Sequence, residues 1–203
     1  MIYKADALIL IKICDNIYRR NETSSRKKHL GDNLKLQNVK GECIMTFGII
    51  DRKNHKFYTH MSKVFHAIDN AQNQYNWLIT DCECYPKSTE VENLFNQRYC
   101  WLSGNELSAI IEREDFQWIW GCLCGFKKDI PLEKVLLYPL PSAQDYGGYY
   151  QNPLSFQHPL ASIEIIPSDS SWVLIISDNK NLIDNYLTKY PNCEDLYLHN
   201  DHH

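Results

Sequence analysis

A chain of 203 residues with 44% apolar, 12% aromatic and 23% charged residues can build one substantial core, which excludes a disordered or fibrous protein. Its formal charge of −4 is uneven: residues 1–44 hold nine Lys/Arg against five Asp/Glu, while residues 45–203 hold twelve against twenty, a net −8. An acidic body argues against phosphate and nucleic-acid binding, which need clustered cations, and suits electrostatic capture of a basic partner.

The chain opens with a short apolar segment, Ala7 to Ile17, whose periodicity fits a strand or one helix face. Asp6 and Lys12 interrupt it and no small-residue cleavage site follows, so it does not read as a secretory leader. No run reaches the roughly 20 apolar residues of a membrane span. Arg19 to Asn33 is basic and turn-rich, the composition of an exposed linker. Residues 1–44 are therefore expected to be an N-terminal appendage, and 45–203 a single domain.

Within that domain, Cys43 to Asp51 reads as a strand, with Lys56 to His60 as its hairpin partner. Ser62 is expected to cap a helix to Gln72 that turns Val64, Phe65 and Ile68 inward. Tyr75 to Tyr85 is a second strand stopped by Pro86, Lys87 to Arg98 reads as a polar loop, and Tyr99 to Leu102 as a short strand. Ser103 opens the clearest helix, because S-G-N-E sets Glu106 three residues on, the capping-box spacing, and Leu107, Ile110 and Ile111 follow at helical intervals. Phe116 to Phe126, F-Q-W-I-W-G-C-L-C-G-F, carries no charge and is expected at the centre of a sheet, buried on both sides. Simple alternation puts Phe116, Trp118, Trp120, Cys122, Cys124 and Phe126 on one face. Ile119, Gly121, Leu123 and Gly125 then form a thin opposite face, where a helix could lie. Three prolines break the stretch after Phe126, and Q-D-Y-G-G-Y-Y-Q-N-P reads as a surface loop. Ala161 to Pro167 and Ser171 to Ser177 form a hairpin around S-D-S, with Ile163, Ile165, Val173 and Ile175 alternating. Asp178 or Asn179 caps a helix to Lys189 with Leu182, Ile183, Tyr186 and Leu187 as its stripe. Asp195 to Leu198 is expected to add an edge strand, and the tail H-N-D-H-H reads as a frayed end or a remnant tag. The fold class is α+β, a mostly antiparallel sheet with about three packed helices.

Eight cysteines without a leader point to reduced thiols and a cytoplasmic protein. Two C-x-C pairs, Cys82/Cys84 and Cys122/Cys124, would make a four-thiolate zinc site if neighbouring strands brought them together. Structural zinc favours C-x-x-C on turns, however, and buried thiols in sheets are ordinarily small hydrophobes. Asp81 and Glu83 share a strand face and are the residues a metal-assisted enzyme would use, with solvated edge charges as the simpler reading. His55, His60 and His66 have no metal-ligand spacing. No nucleophile elbow, P-loop or dinucleotide fingerprint occurs, so neither cofactor nor catalytic residue is assigned. The loop residues Asp145, Tyr146, Tyr149 and Tyr150 combine an acid with tyrosines beside two glycines, a composition suited to a binding surface.

The segments W-L-S-G-N-E-L-S-A-I-I-E-R-E-D-F-Q-W-I-W-G-C-L-C-G-F and A-S-I-E-I-I-P-S-D-S-S-W-V-L-I-I-S-D-N-K-N-L-I-D-N-Y-L resemble small bacterial domains of unknown function, some of them similar to toxin-immunity proteins. The resemblance spans residues 75–198 and carries no catalytic position. The acidic body, the tyrosine loop and the lack of a catalytic motif together predict a non-enzymatic protein-binding domain that captures a basic partner, and the resemblance implies that it does so as an immunity-type protein. A metal-assisted enzyme using Asp81 and Glu83, and a structural homodimer, are the rival readings.

Overall fold

The structure, a computed structural model, describes residues 45–54, 59–144 and 146–201. The expected appendage 1–44 lies outside the described residues, as do His55, Asp145, His202 and His203.

The uncharged run forms β5 (Gln117–Lys127), flanked on both sides as its double-sided apolarity requires. β3 (Tyr75–Cys84) pairs along one edge of it and β6 (Ile163–Ser168) along the other. With β1 (Phe47–Asp51), β4 (Tyr99–Ser103), β7 (Trp172–Ser177) and β8 (Glu194–Asp195), the sheet runs β4-β3-β5-β6-β7-β1-β8. Its pairings are antiparallel throughout. The short strand β2 (Thr59–His60) joins β5 at Trp118 and Gln117, beyond the point where β6 ends. It is thus no partner of β1, whose two neighbours are β7 and β8. The expected β6–β7 hairpin is present, and its register sets Ile165 opposite Ile175. Its turn residues Asp169 and Ser170 both take positive φ, 49° and 55°, a conformation that short polar side chains tolerate.

Four longer helices occur among the described residues: α1 (Met61–Ala67), α2 (Thr89–Phe95), α3 (Gly104–Arg113) and α5 (Lys180–Lys189). They cover the sheet face that carries Trp77, Ile79, Leu102, Trp118, Ile163 and Ile175. α3 begins as its sequence predicts: the Ser103 hydroxyl accepts from Glu106 N, and the Glu106 carboxylate accepts from Ser103 N at 2.7 Å. α2 lies where a loop was expected. Ser88 caps it, Val91, Leu94 and Phe95 are its buried stripe, and the Glu114 carboxylate at the end of α3 accepts from Lys87 N, Ser88 N and Ser88 Oγ. α1 is shorter than expected, because Asp69 and Asn70 turn into the left-handed region. Ser62 does not cap it: His60 holds that position, and the Ser62 hydroxyl donates to Asp115. The expected terminal strand is only two residues, Glu194 and Asp195, before the chain coils into α6 (Leu196–Asp201).

The opposite face is covered by the irregular segment 128–162 and by α6. The segment includes a single turn, α4 (Leu132–Val135), and a 3-10 turn, Gly147–Tyr150. Leu78, Cys122, Cys124, Phe126, Ile166, Leu174 and Ile176 pack there against Val135, Tyr149, Leu154 and Leu196.

Two register shifts between β3 and β5 correct the simple alternation. Thr80 faces Cys122, Glu83 faces Trp120 and Cys84 faces Trp118, so β3 carries an extra residue near Asp81 and β5 one near Ile119. Each bulge reverses which face the following residues address. Trp118 therefore stacks with Phe116 and meets Phe95 of α2 on the helical face, whereas Cys122, Cys124 and Phe126 belong to the other face. The thin side at Gly125 receives an indole rather than a helix. Gly125 lies opposite Trp77 and Ile163, and a β-carbon there would stand 2.6 Å from Ile163 Cγ2 and 3.2 Å from the Trp77 ring.

Candidate functional site

The bulge at Ile119 turns Trp120 onto the face covered by the irregular segment, where it meets the far end of the β6–β7 hairpin. Trp120, Ile166, Ser168, Asp169, Trp172 and Leu174 form the floor and one wall of a cleft of about 420 Å³. Ala143, Gln144, Tyr146, Tyr149 and Tyr150 form the other wall. Five aromatic rings and one carboxylate thus line one concavity. Arg52 sets its guanidinium 5.9 Å from the centroid of the Trp172 ring, a cation–π distance.

The loop wall is held at both ends. Asp81, in the β3 bulge with φ 49°, accepts from Ser142 Oγ at 3.0 Å and from Ala143 N at 2.8 Å. Asn200 of α6 donates to the Tyr149 carbonyl at 3.0 Å. Tyr146 and Tyr149 meet edge to face at 4.6 Å, and the Tyr146 ring lies so close to Gly148 that a β-carbon there would be 2.4 Å from it. Gly148 is therefore a seat for a ring, and neither it nor Gly147 takes positive φ. Tyr150 is 45% exposed, but Tyr149, expected at the surface with it, is 3% exposed.

Tyr149 reaches from the cleft into a buried polar network. Its hydroxyl donates to Glu164 Oε2 at 3.1 Å, accepts from Gln157 Nε2 at 3.2 Å and lies 3.8 Å from Cys122 Sγ. The fully buried Glu164 also accepts from Gln157 N, His158 N and Cys124 Sγ. Burial pushes its carboxyl above the ordinary carboxylate range, against the pull of these donors. Burial likewise raises the Tyr149 phenol and the Cys124 thiol, so both stay protonated and donate. His158 accepts from Leu160 N through Nδ1 and donates from Nε2 to the Val135 carbonyl, and burial holds it neutral. Glu164 accepts from four donors and is sealed from solvent, so the network braces the cleft wall from behind.

The two cysteine pairs do not converge. Cys122 and Cys124 are buried among the network residues, while the β3 bulge turns Cys82 and Cys84 toward Trp118 and Cys100 on the helical face. Among the described residues no three His, Cys, Asp or Glu side chains gather as a metal ion would require. Glu83 accepts from the Tyr85 hydroxyl, His60 Nδ1 lies 3.2 Å from Asp115, and His66 Nε2 accepts from Lys189. Of the expected contact residues, Tyr146, Tyr149 and Tyr150 share the cleft and Asp145 lies outside the described residues. Sequence reasoning missed Trp120 and Trp172, the other half of the cleft, and Glu164, which organises its support. The signal for Glu164 was a lone charge amid A-S-I-E-I-I, an apolar run that the sheet buries on both faces.

Residues 41–140 match the model of a family described as a protein of unknown function, DUF2691. That span runs from β1 to α4 and so includes Trp120, but it ends before the loop wall and the β6–β7 hairpin. No curated protein and no solved structure matches the chain.

Proposed function

We propose that this domain is a non-enzymatic protein-binding module that captures a basic protein, in the manner of an immunity protein neutralising a cationic partner. The observation that carries the reading is the aromatic cleft, which Trp120, Tyr146, Tyr150 and Trp172 line together with Asp169. Aromatic faces with a nearby carboxylate favour lysine and arginine side chains. The seat that Arg52 takes on Trp172 is the same chemistry within the chain. The net −8 of residues 45–203 supplies long-range attraction, which raises association rates toward cationic partners. A few partly exposed tyrosines and tryptophans at the centre of a patch supply most of the binding free energy in such contacts.

The test is affinity capture from the source cell at low salt, followed by kinetics with the protein recovered. Association should slow steeply with added salt. Tyr150→Ala should raise the off-rate by a factor worth about 1–3 kcal/mol at unchanged stability. Tyr149→Ala should instead lower stability by about 3 kcal/mol or more, since it empties a buried aromatic site. No retained protein at any ionic strength, or association indifferent to salt, would refute the proposal.

A further inference from the structure

Cys82 and Cys84 stand two residues apart near the end of β3, just beyond its bulge, with their sulfurs 3.5 Å apart and both side chains partly exposed. Cys122 and Cys124 repeat the spacing in β5, with sulfurs 3.7 Å apart, but are fully buried beneath Tyr149 and Glu164. Among the described residues there are thus two dithiols of equal spacing and opposite access.

We propose that Cys82 and Cys84 are a redox-reactive pair that closes to an intramolecular disulfide on reaction with a low-molecular-weight disulfide of the glutathione type. The Cys82 thiol donates its hydrogen bond to the Cys84 sulfur. That bond, together with burial, keeps Cys82 protonated. Cys84 is therefore the attacking sulfur and Cys82 the resolving one. The Cys84 thiolate attacks one sulfur of the small disulfide, forming a mixed disulfide and expelling one small thiolate, which takes up the proton Cys84 gave. Cys82 then transfers its proton to base and attacks the Cys84 sulfur, expelling the second small thiol. Two protein thiols are oxidised by two electrons, and one small disulfide is reduced to two thiols.

Strand geometry makes this bond a switch rather than a staple. Residues two apart in an extended strand have α-carbons about 6.4–6.8 Å apart, at the upper end of what a disulfide spans. A bond closed at that limit is under tension, which places it with the readily reduced, regulatory disulfides. The buried pair has the same spacing but no path for the oxidant, so reactivity is confined to one end of β3.

The reduced full-length protein, treated with oxidised glutathione, quenched with acid, alkylated in denaturant and mapped by peptide mass spectrometry, tests this directly. The expected result is loss of alkylation at both Cys82 and Cys84 with a linkage between them, reversed by reduced glutathione, while Cys122 and Cys124 remain fully alkylated. Cys82→Ser should instead trap a stable glutathione adduct on Cys84, and Cys84→Ser should abolish oxidation of Cys82. Full alkylation of Cys82 and Cys84 after treatment, a Cys82–Cys100 linkage, or equal oxidation of Cys122 and Cys124 would each overturn the proposal. The wild-type map decides the matter even if a serine variant folds poorly.

Discussion

Three glycines form a graded test of how the helical face is packed, because alanine at each meets a different obstacle. At Gly104, the first residue of α3, a β-carbon would stand 2.0 Å from the Gln72 carbonyl oxygen and 2.7 Å from Asn73 Cα. Backbone cannot step aside as a side chain can, and the same Gln72 carbonyl accepts the Trp77 indole N–H at 3.0 Å. At Gly125 the obstacle is Ile163 Cγ2 at 2.6 Å, with the Trp77 ring at 3.2 Å, all fully buried. At Gly121 the nearest atoms lie at 3.4 to 3.6 Å, ordinary van der Waals contact. Glycine to alanine within a regular element gains about 0.5–1 kcal/mol from the less costly ordering of the backbone, while forcing a methyl into a filled core costs about 1–3 kcal/mol, occasionally more. The net expectation is a small gain for Gly121→Ala, a loss of about 1–2 kcal/mol for Gly125→Ala, and about 2–3 kcal/mol or more for Gly104→Ala. Urea unfolding followed by tryptophan fluorescence measures the three midpoints, and thermal unfolding should shift by about 2–4 °C per kcal/mol for a domain of this size. Equal midpoints for Gly125→Ala and Gly121→Ala would refute the packing of Trp77 over Gly125. A Gly104→Ala variant as stable as wild type would refute the close approach of α3 to the 3-10 turn Ala71–Gln74.

Ser103→Ala removes the hydroxyl that caps α3 and leaves Glu106 N without its acceptor, at a cost of about 1 kcal/mol in chemical denaturation; an unchanged midpoint would show that the box contributes nothing. Glu164 gives a signed pH dependence. Its folded pKa is raised above the ordinary 4.5 by burial, so the unfolded chain releases the proton first. Its contribution to stability is then fully present below about pH 4.5 and is lost as pH rises through the folded value. Glu164→Gln does not titrate and should flatten that part of the stability-against-pH curve; parallel curves for variant and wild type above pH 4.5 would contradict a raised pKa.

What the sequence determined by itself was local. The capping box at Ser103, the hairpin around S-D-S with its alternating Ile163, Ile165, Val173 and Ile175, the cap of α5 at Asp178 or Asn179 and the uncharged run of β5 are written in residues within a few positions of one another, and each stands in the structure where it was read, with Asn179 as the cap. α2 was equally local, with Ser88 before Val91, Leu94 and Phe95 at helical spacing, but its polar setting between two strands disguised it. Half the cleft was legible too, because tyrosines beside glycines in a loop mark a surface turn; that Tyr146 and Tyr150 share it with Trp120 and Trp172 was not. The tertiary structure alone decided register. One extra residue near Asp81 and one near Ile119 reverse the faces of everything beyond them, parting Trp118 from Trp120 and setting the two cysteine pairs on opposite sides of the sheet. A strand's side-chain period is two, so a single inserted residue inverts the pattern, and nothing in the local sequence marks where the pairing slips. The same holds for Tyr149, whose hydroxyl is drawn inside by Glu164, fifteen residues away in the chain and on a different element.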